Sequence, residues 1–254
     1  MRQWRTARHI SQLDLALSAD ISARHLSFVE TGRAQPSREM VLRLAAALQV
    51  PLRERNALLL SAGFAPIYRE TRLDAPALAQ ARRAVDFILA KQEPYPAIVL
   101  DRHWNMVIAN AATHRFFELF PECVLPQPPN VLKLLFDPEG LRPFVENWEE
   151  VAARVINRVH REAAGAPPDS GIRALLEGLL TYPGVPRHWW TPELERPLPP
   201  LLDIAYKRND LKLRFFSTIT TFGTAQDVTL HELRIESFFP ADDVTEATFS
   251  LDGA

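Results

Sequence analysis

The chain has 254 residues, of which 47% are apolar, so it can bury the core of one large or two ordinary globular domains. No run approaches the ~18 uncharged apolar residues of a membrane span, and no basic-then-apolar leader opens the sequence, so a cytoplasmic protein without a membrane partner is expected. The single cysteine, Cys123, excludes an internal disulfide framework, which fits a reducing compartment.

The formal net charge of -2 is unevenly distributed along the chain. Residues 1–64 carry nine arginines, no lysine and five acidic residues, which gives +4, whereas the other 190 residues carry -6. A basic segment on an acidic body is the pattern expected of a protein that contacts phosphate groups at one end.

The stretch 11–32, SQLDLALSADISARHLSFVETG, predicts two short helices joined by a tight turn. Ser11 and Ser22 stand at the two N-cap positions, and Asp14 completes a capping-box spacing after Ser11. Gly32 ends the second helix where a left-handed residue is favoured. The apolar residues expected to face inward are Leu15, Ala16, Ala19, Ile21, Leu26 and Val29.

The second of these helices has an outer face that suits contact with DNA. Its members are Ala23, Arg24, Ser27, Phe28 and Thr31. A helix that is short, capped, arginine-bearing and half buried fits the major groove. Two amphipathic helices and a turn are also a common structural corner, so the pattern alone leaves both interpretations open.

The runs SQLDLA and SARHLSFVETGRAQPS resemble the helix-turn-helix of the XRE (Cro/repressor-like) regulators, with Gln12 opening the first helix and Glu30-x-Gly32 closing the second. The resemblance implies binding to a double-stranded DNA operator as a homodimer, with half-sites about one helical turn apart.

Within this motif, Arg24 is the candidate for a bidentate contact with guanine, beside Ala23 and Ser27 at base edges. Phe28 either touches a thymine methyl group or packs against the next loop. Arg33 and Arg38 are expected to hold the phosphate backbone. The full predicted DNA-binding set is Gln12, Ser22, Ala23, Arg24, Ser27, Phe28, Arg33, Ser37 and Arg38, in which Gln12 and Ser37 serve as neutral donors.

The remaining residues up to 64 complete an all-α helix-turn-helix domain. Residues 1–9 predict a short helix, with Arg2, Arg5 and Arg8 on a flank that is either in contact with phosphate or solvated. A third helix is expected from Ser37 to Leu48, with Val41, Leu42, Ala45 and Leu48 facing in. Pro51 suits the first turn of a fourth helix, which Gly63 ends.

Residues 65–93 form a predicted helical connector. One helix is expected from about Ala75 to Gln92, because Leu78, Ala81, Val85, Ile88 and Leu89 recur at helical spacing. Its apolar face either packs on the second domain or pairs with the same helix of another copy.

Residues 94–254 predict an α+β domain with an antiparallel sheet. PAIVLD and WNMVIAN form a predicted hairpin, and Asn110 caps the helix that follows. Helices are expected at VLKLLF, FVENWEEVAARVINRVHREAAG and IRALLEGLL, and the proline-rich stretch 182–200 is expected to be irregular. The strands LLDIAY, LKLRFFSTITTFG and DVTLHELRIESFFP close the domain, the last two as a hairpin across 223–227.

This half resembles a PAS-like sensor fold, in which a hairpin, a helical segment and further antiparallel strands form one curved sheet. More specifically, PYPAIVLDRHWNMVIANAA and STITTFGTAQDVTLHELRIESFFPADD resemble the ligand-binding domain of the MmyB-like transcription regulators. The resemblance implies a lipophilic small-molecule effector, with long-chain fatty acids as the leading candidates.

The expected ligand site is an apolar cavity between the sheet and the inserted helices. Its aromatic candidates also have the ordinary interpretation of core residues. A carboxylate head would need a cation or a hydroxyl, for which Tyr206, Arg214 and Arg234 are the alternatives. The predicted ligand-binding set is Trp104, Phe116, Phe136, Trp148, Tyr206, Arg214, Phe215, Phe222 and Arg234.

The sequence gives no support for an enzyme, a metal site or a cofactor. It contains no HExxH, GxSxG or Walker motif and no cysteine pair with zinc spacing. The histidines, which are scattered, are at 9, 25, 103, 114, 160, 188 and 231. The alternatives to a ligand-responsive transcription regulator are a protein–protein adaptor that uses its helical domain on another regulator or RNA polymerase, and an enzyme acting on a lipid.

Overall fold

The computed structural model describes residues 1–164, 171–191, 201 and 203–250. Its contacts divide the chain into an N-terminal unit, Met1–Ala75 with Gly223–His231, and a C-terminal unit, Pro76–Phe222 with Glu232–Ala254. The division into domains 1–64, 65–93 and 94–254 is a statement about which parts fold independently. It therefore stays a prediction.

Five short helices form the first part of the N-terminal unit: α1 (Arg2–Ala7), α2 (Gln12–Ser18), α3 (Ala23–Glu30), α4 (Arg38–Ala47) and α5 (Leu52–Ser61). Their core includes Leu15, Leu26 and Leu44, each at most 1% exposed. Helix α4 buries Val41, Leu44 and Ala45, whereas Leu42, which was expected to face inward, is only half buried. The all-α architecture expected for this region is confirmed.

The helix ends follow from local hydrogen bonds. The hydroxyls of Ser11, Ser22 and Ser37 accept from the backbone N–H three residues later at 3.1–3.2 Å. Gly32, at φ +72°, follows the end of α3 in the left-handed region. Pro51 precedes α5 as its N-cap rather than lying in the first turn.

The C-terminal unit contains a five-stranded antiparallel sheet in the order β2-β1-β5-β4-β3. The strands are β1 (Ala97–Leu100), β2 (Met106–Ala109), β3 (Asp203–Arg208), β4 (Leu211–Thr221) and β5 (Arg234–Pro240). The β1–β2 hairpin and three later antiparallel strands therefore share one sheet, and a helical segment is inserted between them in the sequence. The predicted α+β, PAS-like fold class is confirmed.

The described part of the C-terminal unit also contains helices α6 (Ala79–Gln92), α7 (Ala111–Glu118), α8 (Val131–Phe136), α9 (Trp148–Ala164), α10 (Gly171–Leu180) and α12 (Asp243–Phe249). Helix α6 packs against β1 and buries Val85 and Leu89, so its apolar face serves the core of this unit. A 3-10 turn, Pro76–Leu78, precedes it. Helix α11 (Val228–Glu232), in the β4–β5 connection, belongs to the N-terminal unit up to His231.

The structure corrects two of the predicted boundaries. Residues 228–232, expected to be in a strand with His231 and Glu232 on opposite faces, form α11, because Asp227 begins a helical turn by accepting the N–H of Thr229 at 2.9 Å. The β4–β5 connection is consequently longer than the expected turn at 223–227. Helix α9 begins at Trp148, after a separate 3-10 turn at Arg142–Phe144.

The structure describes residues 182–191 of the proline-rich stretch 182–200. Its described part contains one 3-10 turn, Arg187–Trp190, in which Trp189 is buried. The prediction for residues 192–200 falls outside the part of the chain that the structure describes.

Candidate DNA-binding helix and ligand cavity

Helix α3 exposes the arginine that the sequence singled out. The Arg24 guanidinium carbon lies 5.5 Å from the centroid of the Phe28 ring, and Arg24 has no ion pair within the described parts of the chain. Ala23, Ser27 and Phe28 are partly exposed beside it. These four side chains therefore share an accessible helical face. The N–H donors of its Arg24 guanidinium are available to a ligand.

The predicted phosphate contacts outside this face are accessible to solvent. Arg33 and Arg38 are exposed. Ser22 and Ser37 use their hydroxyl oxygens as cap acceptors, which leaves each hydroxyl hydrogen free to donate to a phosphate oxygen.

A buried carboxylate joins the first three helices. Glu30, at the end of α3, receives two hydrogen bonds of 2.8 Å from Arg5 and one of 2.7 Å from the Gln12 amide. Its side chain is only 1% exposed. Hydrogen bonding to the Arg5 guanidinium, with help from Gln12, holds the pKa of Glu30 below its usual range against the opposing effect of burial.

This network changes the interpretation of two residues. Arg5 was expected on a flank that is solvated or in contact with phosphate, but its side chain lies inside the domain, paired with Glu30. Gln12 uses one amide N–H on the same carboxylate, so the predicted contact with DNA would have to use the other. The sequence held a signal for this arrangement, since Gln12 and Glu30 were both part of the motif.

The C-terminal unit contains a cavity of about 330 Å³ between one face of the sheet and helices α7, α8 and α9. Four of the predicted ligand residues line it: Trp104, Phe116, Tyr206 and Phe215. Burial raises the pKa of the Tyr206 phenol, so its hydroxyl stays protonated. The size and apolar walls are typical of a small-molecule site.

The other predicted aromatic residues are not part of this wall. Phe136 is fully buried, with its ring centroid 5.7 Å from that of Trp148. Trp148 donates its indole N–H to the Leu135 carbonyl at 2.8 Å and lies beneath the Arg142 guanidinium. Phe222 lies beyond the end of β4, in neither the cavity wall nor the strand.

The predicted head-group arginines also lie elsewhere. Arg214 is exposed and paired with Asp203 at 2.5 Å, because side chains alternate along β4 and Phe215 takes the inward position. Arg234 is not part of the cavity wall; its guanidinium carbon lies 4.7 Å from the Trp104 ring centroid, and it forms an ion pair of 3.1 Å with Glu162.

Two arginines that the sequence analysis missed do line the cavity, Arg154 and Arg158 of α9. The Arg154 side chain is 16% exposed, and its Nε is buried without a hydrogen-bond partner in the described structure. Arg158 contacts Glu162 at 3.2 Å and stacks on Trp104 at 4.6 Å. The available signal was their spacing, since they lie on the same helical stripe as Val151 and Val155.

The sheet contributes a second polar pair, Ser217 on β4 and Glu236 on β5, which both line the cavity. The Ser217 hydroxyl donates to Glu236 Oε1 at 2.7 Å. Burial raises the pKa of Glu236, with the hydrogen bond and the charges of Arg158 and Arg234 opposing this effect.

Other chemistries have no visible site in the described parts of the chain. No described group of three or more histidine, cysteine or acidic side chains is placed to hold a metal ion. Burial raises the pKa of the Cys123 thiol to about 11, so it is a poor nucleophile at neutral pH. None of the described helices has the length and apolar character needed to cross a membrane.

Comparison with known structures and curated proteins adds little. No curated protein gives a significant match. The solved structure entitled "Structure of an RNA-binding Light-Oxygen-Voltage Receptor" aligns at 13% identity and a TM-score of 0.26, covering 96% of this chain and 58% of its own length. This chain thus spans little more than half of that protein, and so low a score carries no argument about fold or function.

Family models match both parts of the chain, as the two resemblances predicted. A helix-turn-helix family matches residues 1–55, which contain α1 to α4. The family described as "MmyB-like transcription regulator ligand binding domain" matches residues 81–251, more than half of the chain, including the whole sheet and the cavity. The protein therefore belongs to the MmyB-like transcription regulators, with an N-terminal helix-turn-helix and a C-terminal domain of the family's ligand-binding type.

Proposed function

We propose that this protein is a sequence-specific DNA-binding regulator whose affinity for its operator is set by a lipophilic acid, such as a long-chain fatty acid, held in the C-terminal cavity. The observation that carries the proposal is Arg154, a residue of the apolar cavity wall whose buried Nε has no hydrogen-bond partner in the described structure. A buried N–H without an acceptor is unfavourable, and a ligand carboxylate would supply one.

The remaining cavity wall supports the lipophilic part of this proposal. Ile98, Phe116 and Phe215 present apolar surface from the sheet and α7, which suits an aliphatic chain. Arg158 is paired with Glu162 at 3.2 Å, whereas Arg154 contacts the half-exposed Glu150 only at 3.5 Å and keeps a buried Nε without an acceptor in the described structure, so Arg154 is the better partner for the acid head. This assignment replaces the earlier alternatives of Arg214 and Arg234, and Tyr206 is retained as a neutral hydroxyl within the cavity.

The proposed reading of DNA uses the exposed face of α3. Arg24 would contact guanine in the major groove, with Ala23 and Ser27 at neighbouring base edges and Phe28 against a thymine methyl. Arg33 and Arg38, with the hydroxyls of Ser22 and Ser37 and the remaining N–H of Gln12, would hold the phosphate backbone. We place the protein in the cytoplasm, where it would bind its operator as a homodimer.

Ligand can control DNA binding only if its affinity differs between two conformations of the protein. The proposal therefore requires one arrangement of the dimer that fits the half-sites and another that does not, with the filled cavity favouring one of them.

Native mass spectrometry of the purified protein, followed by spectra after denaturation, tests whether a ligand is present. A small-molecule mass that accompanies the folded protein and leaves on unfolding supports a filled cavity and identifies the ligand class. If only the polypeptide mass is seen in both spectra, hexadecanoate is added and its binding measured by calorimetry.

Substitution of two arginines identifies the head-group contact. Arg154→Leu should weaken binding of hexadecanoate at least tenfold, because it removes the buried donor. Arg214→Leu is the matched control, since Arg214 is exposed and lies outside the cavity. Equal affinities of the Arg154→Leu variant and the unsubstituted protein for hexadecanoate would overturn the assignment.

A further inference from the structure

The wall of the cavity opposite α9 contains a carboxyl group that an unmodified aliphatic chain would not require. Glu236 projects from β5 on the same face of the sheet as Phe238, which pairs with Ser217 across the strands. The three side chains therefore form one patch of the cavity wall, with a polar pair set among apolar groups.

The contacts of Glu236 leave part of its carboxyl group available to the cavity. Among the described residues its only hydrogen-bond partner is Ser217, which donates to Oε1 at 2.7 Å. No ion pair with a described cation is present, because the nearby Arg158 and Arg234 are both paired with Glu162 and both lie over the Trp104 ring. Glu236 is therefore not neutralised by contact with a cation in the described structure.

The protonation state of Glu236 determines what it can bind. Burial raises the pKa of this carboxyl, which favours the neutral form that carries an O–H donor. With Oε1 occupied by Ser217, the second oxygen of this cavity-lining residue has no described partner and is left to carry this donor. A hydroxyl or carbonyl oxygen on a ligand would accept a hydrogen bond from the O–H of Glu236, whereas a methylene group would leave this donor unsatisfied.

We propose that Ser217 and Glu236 form a second polar subsite, which binds a hydroxyl or carbonyl oxygen on the ligand's chain, so that the preferred effector is an oxygenated aliphatic acid. This inference rests on the proposed function, because it places the acid head at Arg154 and the oxygen substituent at Glu236. It narrows the ligand class from lipophilic acids in general to those with a second polar group.

A positional series of ligands tests the subsite. Calorimetry would compare hexadecanoate with hydroxyhexadecanoates that carry the hydroxyl at successive carbons. At one or a few neighbouring positions, the hydroxylated acid should bind about three- to tenfold more tightly than hexadecanoate, as expected for one neutral hydrogen bond. Equal or weaker binding at every position would overturn the inference.

Variants then identify the group responsible. Glu236→Leu should abolish the preference for the hydroxylated acid while hexadecanoate still binds, and Glu236→Gln, which keeps a donor, should retain part of it. If Glu236→Leu does not fold, Ser217→Ala replaces it in the test. This smaller change should reduce the preference for the hydroxylated acid. A preference that is unchanged in folded Glu236 and Ser217 variants would also overturn the inference.

The same data separate this inference from the proposed function. If neither hexadecanoate nor any hydroxylated acid binds, the proposed lipophilic-acid ligand fails, and the inference fails with it. If hexadecanoate binds through Arg154 but hydroxylation gives no advantage, only the second subsite is wrong.

Discussion

Arg5, Arg24 and Arg154 carry the same guanidinium group in three different surroundings. Arg5 is paired with the buried Glu30, Arg24 is exposed on α3 beside Phe28, and Arg154 borders the cavity with an unbonded Nε in the described structure. Their consequences differ accordingly: the first concerns stability, the second recognition of DNA and the third binding of ligand.

Substitution of the exposed arginines should distinguish contacts with bases from contacts with phosphate. Arg24→Ala is expected to cost about 1–3 kcal/mol on the operator and to relax the choice of one base. Arg33→Ala should weaken operator and random DNA alike and lower the salt slope by about one. Anisotropy titrations at several salt concentrations measure both effects. An equal loss on random DNA for Arg24→Ala would make Arg24 a phosphate contact.

Glu30 should make the N-terminal unit sensitive to acid. Because its pKa is depressed in the folded state, its contribution to stability is fully present above its unfolded pKa, near 4.5, and is lost as pH falls through the folded value. Glu30→Gln should destabilise this unit by about 1–3 kcal/mol at pH 7 and reduce the dependence on pH in the acid range.

Unfolding in urea between pH 3 and pH 7, followed by circular dichroism, measures the effect of Glu30. Glu39→Gln is the matched control, because Glu39 is exposed and its nearest cation, Arg43, is 4.0 Å away. Similar pH profiles for the unsubstituted protein and Glu30→Gln would show that the buried pair contributes little.

At the scale of elements, Asn110 connects three segments of the C-terminal unit. Its Oδ1 accepts from the N–H of Ala97 in β1 at 2.9 Å and from the N–H of Thr113 in α7 at 3.0 Å. Its Nδ2 donates to the carbonyl of Tyr95, after α6, at 2.8 Å. This one buried amide therefore links the segment after α6, the start of β1 and the first turn of α7.

Replacement of Asn110 should destabilise the C-terminal unit more than loss of an ordinary cap. Asn110→Ala is expected to cost about 2–4 kcal/mol, because it removes the cap and leaves buried backbone groups unsatisfied. Ser11→Ala, at an exposed cap of α2, should cost the N-terminal unit only about 1 kcal/mol. Chemical denaturation followed by tryptophan fluorescence and circular dichroism compares them, and equal losses would contradict this account.

The β4–β5 connection shows how a strand-like pattern can be overridden. Its residues Val228 and Thr229 favour strands, but the carboxylate of Asp227 accepts the N–H of Thr229, and the N–H of Val228 bonds to the carbonyl of Arg69 at 2.8 Å. The segment thus begins α11 within the N-terminal unit, to which residues 223–231 belong. A local side-chain cap and one long-range hydrogen bond decided its conformation.

At the scale of the whole molecule, operator and ligand should influence each other to the same extent. If ligand changes the affinity for operator by a given factor, operator must change the affinity for ligand by that factor. Titration of each in the absence and presence of the other measures both factors. A ligand that binds but leaves operator affinity unchanged would contradict the proposed regulation, although not the ligand site.

The ligand should also stabilise the C-terminal unit. At a concentration of 100 times its Kd, it should add about 2.7 kcal/mol to the free energy of unfolding, because only the folded cavity binds it. Thermal unfolding with and without hexadecanoate measures this gain, which should be largely lost in Arg154→Leu. A gain that persists in this variant would place the acid head elsewhere.

The sequence by itself determined the features that depend on neighbouring residues. Ser22 before α3, Gly32 after it and Asn110 before α7 act within a few residues of their positions, so the capped helices could be predicted. The short apolar run at β1 and the β-branched and aromatic residues of β4 likewise predicted these strands, and the motifs identified the family.

Only the tertiary structure decided which side chains meet. Glu30 pairs with Arg5, 25 positions away in the sequence, and Glu236 of β5 is hydrogen-bonded to Ser217 of the neighbouring strand β4. Trp104, Phe116, Tyr206 and Phe215 reached the predicted cavity, but its cations proved to be Arg154 and Arg158 instead of Arg214 and Arg234. The physical reason is that local periodicity gives each residue a face on its own element, whereas the packing of elements distant in sequence determines what that face contacts.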